Sequence, residues 1–445
     1  MTLPERPAPA PGALASGALV ELTVGEAAHG GWCVARRDPG PVIFVRHALP
    51  GEQVRAVITQ TTAKLARADA VQILAASADR VTPPCPHAHP GGCGGCDWQH
   101  ASLPAQRALK AAVVRQQLRR IAGLERDVTV EALPGSEDGL GWRTRVKFAV
   151  GPGGVAGLRR HRSHEVVDVG DCPIAHPLAG AADVTGRDWS GFTSVEVAAA
   201  PGSGQRAVIV AGNAPVPEIA ADTVVQERSG RPGRSVARRG TGTLRQRAAG
   251  RDWRVDATAF WQVHPAAADT LAAAVLDAVR PRAGEVALDL YCGAGLFAGV
   301  LAGAVGPSGT VIGIEADAAA VRDARHNLRA TPWARVHRGD VAAELARRSP
   351  SGATLAVLDP PRTGAARQVL GLLSASQVSR IGYVSCDPAT LARDIAVLTA
   401  SGWSLEALRA FDAFPMTHHV ECLATLARAG RPAATPSRVK PQPRS

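Results

Sequence analysis

The sequence contains no apolar run of 18 residues and no secretory signal segment near its first residue. A transmembrane helix needs about 20 consecutive apolar residues, and a secretory leader carries a recognisable apolar region. Both absences argue against a membrane-spanning or exported protein. We therefore expect a soluble, cytoplasmic protein, monomeric and without a membrane partner.

Acidic residues are the minority among the charged ones, with 39 Asp and Glu against 50 Lys and Arg and a formal net charge of +11. A basic balance of this size favours a polyanionic partner, first of all nucleic acid. The alternative at this point is a general Arg-rich composition with a solvated basic surface.

Cysteine is also scarce, with eight residues in 445. Disulfides are rare in cytoplasmic proteins, so these thiols are better candidates for metal ligands or catalysts. Three of them stand in the Gly/Pro-rich string P-P-C-P-H-A-H-P-G-G-C-G-G-C as Cys85, Cys93 and Cys96, and Cys172 follows in D-C-P-I. Four thiolates predict a metal site, but zinc and an iron-sulfur cluster both accept four Cys, and spacing does not separate them.

Composition divides the chain into five segments. The first and last are Pro-rich and expected to be disordered, while several short strand-like runs separated by Gly and Pro predict a small β-barrel in the second. The third holds a basic amphipathic helix over 103–123, mixed β-structure and an Arg/Gly-rich loop over 227–251 with two possible β edges. The segments are 1–14, 15–76, 77–254, 255–428 and 429–445.

Regular alternation of strands and helices begins near Asp256 and predicts an α/β, Rossmann-like domain. A strand over 286–290 leads into the turn Y-C-G-A-G-L-F, and the next strand ends at Glu315. This spacing places a nucleotide ribose against a carboxylate. Because Gly293, Gly295 and Ala298 also satisfy the looser dinucleotide fingerprint, the turn alone does not exclude NAD or FAD.

Cys386 is the most informative single residue. It follows the apolar strand 381–385 in the string G-Y-V-S-C-D-P, at the carboxyl end of a predicted parallel strand, where ligands and chemistry collect in such sheets. A thiol there can act as a nucleophile. The alternative is a small side chain that is merely buried.

Five strings in fixed order carry a resemblance to a known family: F-W-Q-V-H-P, D-L-Y-C-G-A-G-L-F, L-D-P-P-R-T-G, Y-V-S-C-D-P-A-T-L-A-R-D and F-P-M-T-H-H-V-E. Together they resemble the uracil-5 RNA methyltransferases, and residues 15–76 resemble a TRAM domain, an RNA-binding module. The resemblance implies S-adenosylmethionine as cofactor, Cys386 as nucleophile and Glu421 as general base. It also implies cofactor contacts at Gln262, Tyr291, Glu315, Asp340 and Asp359, and a 4Fe-4S cluster on Cys85, Cys93, Cys96 and Cys172. For Glu421 the alternative is an ordinary edge-strand carboxylate.

Two departures from the family pattern stand out. His264 occupies a position where the family usually has Asn, and seven residues rather than five separate Cys85 from Cys93. Arg362, after the Pro-Pro pair, disfavours an amino-group target and also a cytosine-5 methyltransferase, which typically carries Pro-Cys there.

The cluster favours large-subunit ribosomal RNA over transfer RNA as substrate. The alternatives are a tRNA uracil-5 methyltransferase, a cytosine-5 methyltransferase and a non-catalytic iron-sulfur RNA-binding protein.

Overall fold

The computed structural model describes residues 14–37, 40–62, 64–227, 235–348 and 351–428. The two terminal segments expected to be disordered lie almost wholly outside this part of the chain. Leu14 is the exception, because it is described and buried against the first domain. Within the described residues, no helix has the length and apolar character to cross a membrane.

The first domain is a closed five-stranded barrel, as the short strand-like runs predicted. Buried residues alternate with exposed ones along the strands, for example Leu22 and Val24, so one face of each strand points into the barrel. The strand order is β1-β2-β3-β5-β4. The strands are β1 (Leu19–Ala28), β2 (Trp32–Arg36), β3 (Val42–Arg46), β4 (Gln53–Thr61) and β5 (Leu65–Ala75).

The predicted basic helix is present as α1 (Leu103–Gln117), followed by a π-helical turn over Leu118–Ala122. Ser102 caps its first turn, and Gly123 ends it with φ 66°. Its apolar side contacts two domains, because Val113 joins the barrel core whereas Val114 joins the core of the large sheet. The helix therefore fixes the barrel to the rest of the molecule.

The central domain is built on a seven-stranded sheet of order β13-β12-β11-β10-β7-β8-β9, next to the hairpin β14-β15. The stretch 227–251, interpreted from sequence as a loop with two possible β edges, contributes the regular strands β13 and β14 here, and its residues 228–234 lie outside the described part. The elements are β7 (Arg145–Val150), β8 (Ala156–Arg159), β9 (Val166–Val167), α2 (Ala181–Thr185), β10 (Phe192–Ala200), β11 (Gln205–Gly212), β12 (Thr223–Glu227), β13 (Ser235–Arg239), β14 (Thr243–Ala248) and β15 (Arg251–Asp256).

The Rossmann-like domain predicted after Asp256 is an eight-stranded sheet of order β18-β17-β16-β19-β20-β22-β21-β6. Helices cover both faces, and the neighbouring strands β18, β17, β16, β19 and β20 are parallel, so their carboxyl ends share one edge. The elements are α3 (Ala267–Val279), β16 (Val286–Leu290), α4 (Leu296–Val305), β17 (Thr310–Glu315), α5 (Ala318–Asn327), β18 (Ala334–Arg338), α6 (Val341–Arg348), β19 (Ala353–Leu358), α7 (Arg367–Ala375), β20 (Arg380–Ser385), α8 (Pro388–Ala400), β21 (Trp403–Asp412) and β22 (Glu421–Arg428).

The edge strand β6 (Val130–Ala132) of the large sheet comes from the central segment and lies parallel to β21. Helix α1 also belongs to that segment in sequence, yet it packs on this sheet's core. The segments 77–254 and 255–428 therefore share a sheet and a core, and the boundary drawn from composition does not separate two independent folding units.

Candidate active site

Cys386 lies in the short connection between strand β20 and helix α8. Asp387, the next residue, caps the helix, since its Oδ1 accepts hydrogen bonds from the backbone amides of Ala389 at 3.0 Å and Thr390 at 2.9 Å. Pro388 stands in the first turn, where a missing N–H costs nothing. The thiol is thus held at the carboxyl edge of the sheet, next to the positive end of a helix dipole.

Strand pairing brings Glu421 to the same place. Strands β20 and β22 are antiparallel, with Ser385 opposite Cys422. Cys386 and Glu421 are the next residues beyond this pair, and they lie close enough for the Glu421 carboxylate to act on the thiol. Since β22 lies between β20 and β21 and Glu421 is 4% exposed, the edge-strand interpretation of this carboxylate is wrong.

Burial sets the charge state of both groups. It raises the pKa of the Cys386 thiol to about 11, with the nearby Glu421 carboxylate adding to the rise and Arg362 opposing it. Burial and the neighbouring Asp359 carboxylate also raise the pKa of Glu421 well above its usual range. Burial therefore favours the protonated form of each group in the site without ligand.

A pocket of about 170 Å³ opens beside the thiol. Arg362, Cys386, His418 and His419 line one side of it, and residues 28–30 of the barrel line another. The guanidinium Nη2 of Arg362 lies 3.4 Å from Nε2 of His419. The pocket joins charged and polar groups from the barrel and the large sheet at one point.

The loop after β19 that carries Arg362 is held by helix α8. Thr390 Oγ1 donates a hydrogen bond to the Arg362 carbonyl at 3.1 Å, and the Arg393 guanidinium donates to the Thr363 carbonyl at 2.8 Å. The Ala365 amide donates to the buried Asp394 carboxylate at 2.8 Å. These bonds fix Arg362 relative to the thiol at the start of the same helix.

The turn after β16 forms the neighbouring part of this edge. Glu315 accepts hydrogen bonds from the Gly293 amide at 3.0 Å and from the Asp317 amide at 2.8 Å. Tyr291 has φ 64°, a conformation that costs energy for a residue with a side chain. Asp340 lies close enough to Tyr291 to raise the pKa of its phenol, although burial is the larger cause. Three of the five predicted cofactor contacts thus surround one turn.

The other two predicted contacts lie on either side of it. Asp359 follows β19, with its amide 3.3 Å from the Leu290 carbonyl, and burial together with Glu315 raises its pKa to about 7. Gln262, 8% exposed, lies in the connection between β15 and α3.

Asp289 is a further acidic residue of this edge that the sequence interpretation passed over. Its side chain is completely buried in β16. The backbone amide of Ala298 favours its charged form, but no hydrogen bond of ordinary length and angle reaches either carboxylate oxygen from the described residues. Burial raises its pKa to about 8, and the nearby Asp359 and Glu315 add to the rise. One sequence signal could have identified Asp289: it is an acidic residue one position before the end of a strand that leads into a Gly turn.

The four cysteines predicted to bind metal line one small cavity of about 20 Å³. Cys85, Cys93 and Cys96 come from the Gly-rich loop, and Cys172 comes from the segment after β9. Burial raises the pKa of Cys96 to about 12, and Cys172 and Cys93 lie close enough to contribute. Across the described ranges, no three Cys, His, Asp or Glu side chains form a group that could hold a metal ion.

His264, the departure from the family's Asn, is 1% exposed and stacks on Trp142 with a ring separation of 6.2 Å. Its Nδ1 accepts a hydrogen bond from the Ala266 amide at 3.2 Å, so Nε2 carries the hydrogen and donates to Ser136 Oγ at 2.9 Å. Burial lowers its pKa to about 4, which keeps the ring neutral. The Oδ1 acceptor of an Asn side chain is the same number of covalent bonds from the backbone as Nδ1 of His264. Either residue can therefore accept the hydrogen bond from the Ala266 amide and keep the turn that leads into α3.

Comparison with known proteins gives three family matches. The sequence model of the tRNA (uracil-5-)-methyltransferase family matches residues 352–429, that of the TRAM domain matches 15–71, and that of protein-L-isoaspartate(D-aspartate) O-methyltransferase matches 261–354.

Two relatives and one solved structure match over nearly the whole chain. An "uncharacterized RNA methyltransferase" of Streptomyces avermitilis is 49% identical over 92% of this chain and 98% of its own length, and one of Streptomyces coelicolor is 48% identical over 92% and 93%. The Pyrococcus abyssi tRNA (uracil-54, C5)-methyltransferase, solved with S-adenosyl-L-homocysteine, shares the fold with a TM-score of 0.70 at 23% identity, covering 91% of this chain and 100% of the other. The chain therefore belongs to the uracil-5 RNA methyltransferase family, whose members are S-adenosylmethionine-dependent enzymes.

Proposed function

We propose that this enzyme forms 5-methyluridine in large-subunit ribosomal RNA through a covalent adduct between Cys386 and carbon 6 of the target uracil. The observation that carries the proposal is the proximity of Cys386 and Glu421, which lie next to the paired residues Ser385 and Cys422, and the pocket that opens beside Cys386. A nucleophile and a base this close together can act on neighbouring atoms of one ring.

The chemistry requires both groups. Carbon 5 of uracil is too weakly nucleophilic to take a methyl group unaided. Addition of the Cys386 thiolate to carbon 6 forms a carbon–sulfur bond and moves the ring electrons to an enolate, whose carbon 5 is then nucleophilic. S-adenosylmethionine supplies an electrophilic methyl group. The positive charge of Arg362 favours the thiolate that begins this sequence.

Glu421 completes the reaction. Its carboxylate removes the proton from carbon 5, the electrons re-form the ring double bond, and the carbon–sulfur bond breaks to release Cys386. The raised pKa of Glu421 suits a group that must bind this proton readily. The base has to leave its stack to reach the pocket, so a flipped or loop uridine is expected.

The cofactor would be held by Gln262, Tyr291, Glu315, Asp340 and Asp359, the contacts that the family resemblance implies. The edge they form fits a cationic ligand, because it concentrates carboxylates and includes the buried Asp289. Glu315 retains free lone pairs for ribose hydroxyls, since each of its oxygens accepts one amide hydrogen.

The 4Fe-4S cluster would be held by Cys85, Cys93, Cys96 and Cys172. The four thiols line one shared cavity and can therefore bind one common ligand, and four Cys thiolates are a ligand set that a 4Fe-4S cluster accepts, as structural zinc also does. Its role would be structural, because methyl transfer needs no electron.

The RNA target separates two candidates. The cluster favours ribosomal RNA, whereas the Pyrococcus abyssi protein is a tRNA (uracil-54, C5)-methyltransferase and supports transfer RNA as the second candidate. RNA from a strain lacking this gene should lose one 5-methyluridine, mapped by mass spectrometry of ribosomal and transfer RNA separately. A loss confined to transfer RNA would replace the ribosomal assignment, and no loss in either would reject the activity.

A further inference from the structure

The turn between β1 and β2 of the barrel reaches into the active site. Ala28, His29 and Gly30 line the same pocket as Cys386. Nε2 of His29 lies 3.1 Å from Oδ2 of Asp387, the residue that follows the nucleophile. A domain whose family is associated with RNA binding therefore contacts the loop that carries the thiol.

The two oxygens of the Asp387 carboxylate contact different parts of the molecule. One oxygen, Oδ1, caps helix α8, and the other, Oδ2, faces His29. Hydrogen bonds from His29 and from the helix amides hold the pKa of Asp387 at about 2 despite burial, so the carboxylate is an acceptor and the His29 ring donates. The position of the loop thus depends on a donor from the barrel.

The barrel turn that carries His29 is tightly packed, so it can hold the Cys386 loop in a fixed position. Gly30 and Gly31 have φ of 89° and 80°, which residues with side chains adopt only at a cost. A Cβ on Gly31 would come within 2.8 Å of the Asp97 side chain. The same Asp97 carboxylate accepts a hydrogen bond from Nδ1 of His418 at 2.6 Å. The turn therefore contacts both the Asp387 segment and the residue that holds His418, and Asp387 and His418 both line the pocket.

We infer that His29 is a positioning residue of the methyl-transfer reaction: its hydrogen bond to Asp387 fixes the Cys386 loop, which makes the barrel a structural part of the target-base site. The inference rests on the proposed function of Cys386. It differs from a role for the barrel in holding RNA, because it predicts an effect on the chemical step with RNA already bound.

Three variants test this. His29→Ala should lower the single-turnover methylation rate at saturating RNA and cofactor by roughly 10²-fold, the effect of a small misplacement of a reacting group, and leave the RNA dissociation constant nearly unchanged. His29→Gln retains a donor and should recover most of the rate. Glu21→Ala, an exposed change on β1, the strand that leads into this turn, should match wild type.

Hydrogen–deuterium exchange of the RNA-free protein gives a readout that needs no activity. Amides at the start of α8 should exchange faster in His29→Ala than in wild type, and not in His29→Gln or Glu21→Ala. A His29→Ala protein with weaker RNA binding but a normal rate and normal exchange overturns the inference, as does a Gln variant as impaired as Ala. If wild type makes no 5-methyluridine, the proposed function fails, and the exchange data still decide whether His29 positions the loop.

Discussion

At the scale of single residues, the sequence located the reactive groups but not their surroundings. Cys386 and Glu421 were identified because their strings are specific, and their roles remain predictions that the strand register supports. Asp289 was passed over because a carboxylate in an apolar strand gives no sign of whether it has a partner. Its isolation emerges only when the neighbouring strands are assembled around it.

The nucleophile can be tested against a neighbouring cysteine. Cys386→Ala should abolish methylation and the denaturation-resistant adduct with 5-fluorouridine RNA, while S-adenosylmethionine binding stays nearly unchanged, because the thiol acts on the base. Cys422→Ala changes a buried thiol opposite Ser385 in the sheet and should keep the adduct. Normal methylation by Cys386→Ala would refute the assignment.

Glu421 is the proposed base that removes the proton from carbon 5 of the uracil. Glu421→Gln should slow turnover by roughly 10²- to 10⁴-fold, the range for a positioned general base, and a methylated covalent complex should accumulate. Because the pKa of Glu421 is raised, the wild-type rate should fall as pH is lowered. The exposed Glu406→Gln on β21 is the matched control. Product release by Glu421→Gln at the wild-type rate would point to another base.

The isolated Asp289 predicts a pH-dependent stability. Its pKa is about 8 in the folded protein against 3.8 for the free side chain, so the folded state binds the proton more tightly. Its contribution to stability is complete below about pH 4 and is lost as pH rises towards 8. Asp289→Asn should therefore raise the Tm of the ligand-free protein at pH 8, with the gain shrinking towards pH 4.

The exposed Asp277→Asn serves as the control and should show no such trend. A pH-independent gain for Asp289→Asn would mean that its carboxyl is not the titrating group. Added S-adenosylmethionine should stabilise wild type more at pH 8 than at pH 5, since its cation offsets the buried charge.

At the scale of elements, strands with regular alternation and helices with clear periodicity were predictable, and irregular ones were not. The barrel strands and the α/β alternation follow from local pattern. The Arg/Gly-rich stretch was interpreted as a loop with two possible β edges because exposed arginines hide the alternation of β14, in which Leu244, Gln246 and Ala248 are the buried positions. Helix α1 was predicted as a basic amphipathic helix, but the pattern did not indicate that Lys110 is fully buried.

Lys110 gives a prediction for this helix. Its Nζ donates to Asp412 Oδ1 at 2.5 Å and to the Phe414 carbonyl at 3.0 Å, so the pair ties α1 to the end of β21. Lys110→Met should leave a buried carboxylate unpaired at a cost of about 3–5 kcal/mol, which corresponds to a Tm lower by roughly 6–20 °C. Lys147→Met removes a lysine that is 62% exposed and should have little effect. Equal Tm values for the two variants would show that the buried pair does not stabilise the fold.

At the scale of the whole molecule, the order of domains was predictable and their interpenetration was not. Composition placed a boundary near residue 254, but β6 and α1 cross it to complete the large sheet and its core. The positions of β6 and α1 depend on contacts with residues far away in the sequence, and a local sequence pattern does not predict such contacts. The meeting of the barrel with the Cys386 loop was hidden for the same reason.

The four-cysteine site tests how the central segment is held together. Protein purified without oxygen should be brown and contain about four iron per chain. Cys172→Ser should lose the iron, destabilise the central domain and weaken RNA binding, while cofactor binding by the large sheet stays largely intact. Cys33→Ser, a change in the barrel core, controls for general loss of a buried thiol. One tightly bound zinc and no iron would replace the cluster and leave the methyltransferase assignment standing.

The bond between Lys110 and Asp412 joins residues 302 positions apart in the chain. During synthesis the helix emerges from the ribosome long before the strand it must meet, and domains otherwise tend to fold as they appear. Strand β6 likewise can pair only after β21 has been synthesised. The catalytic sheet can therefore close only after the segment that contains β21 has left the ribosome, and a polypeptide truncated before that segment would present an unpaired ammonium group and an open sheet edge to the cell's quality control.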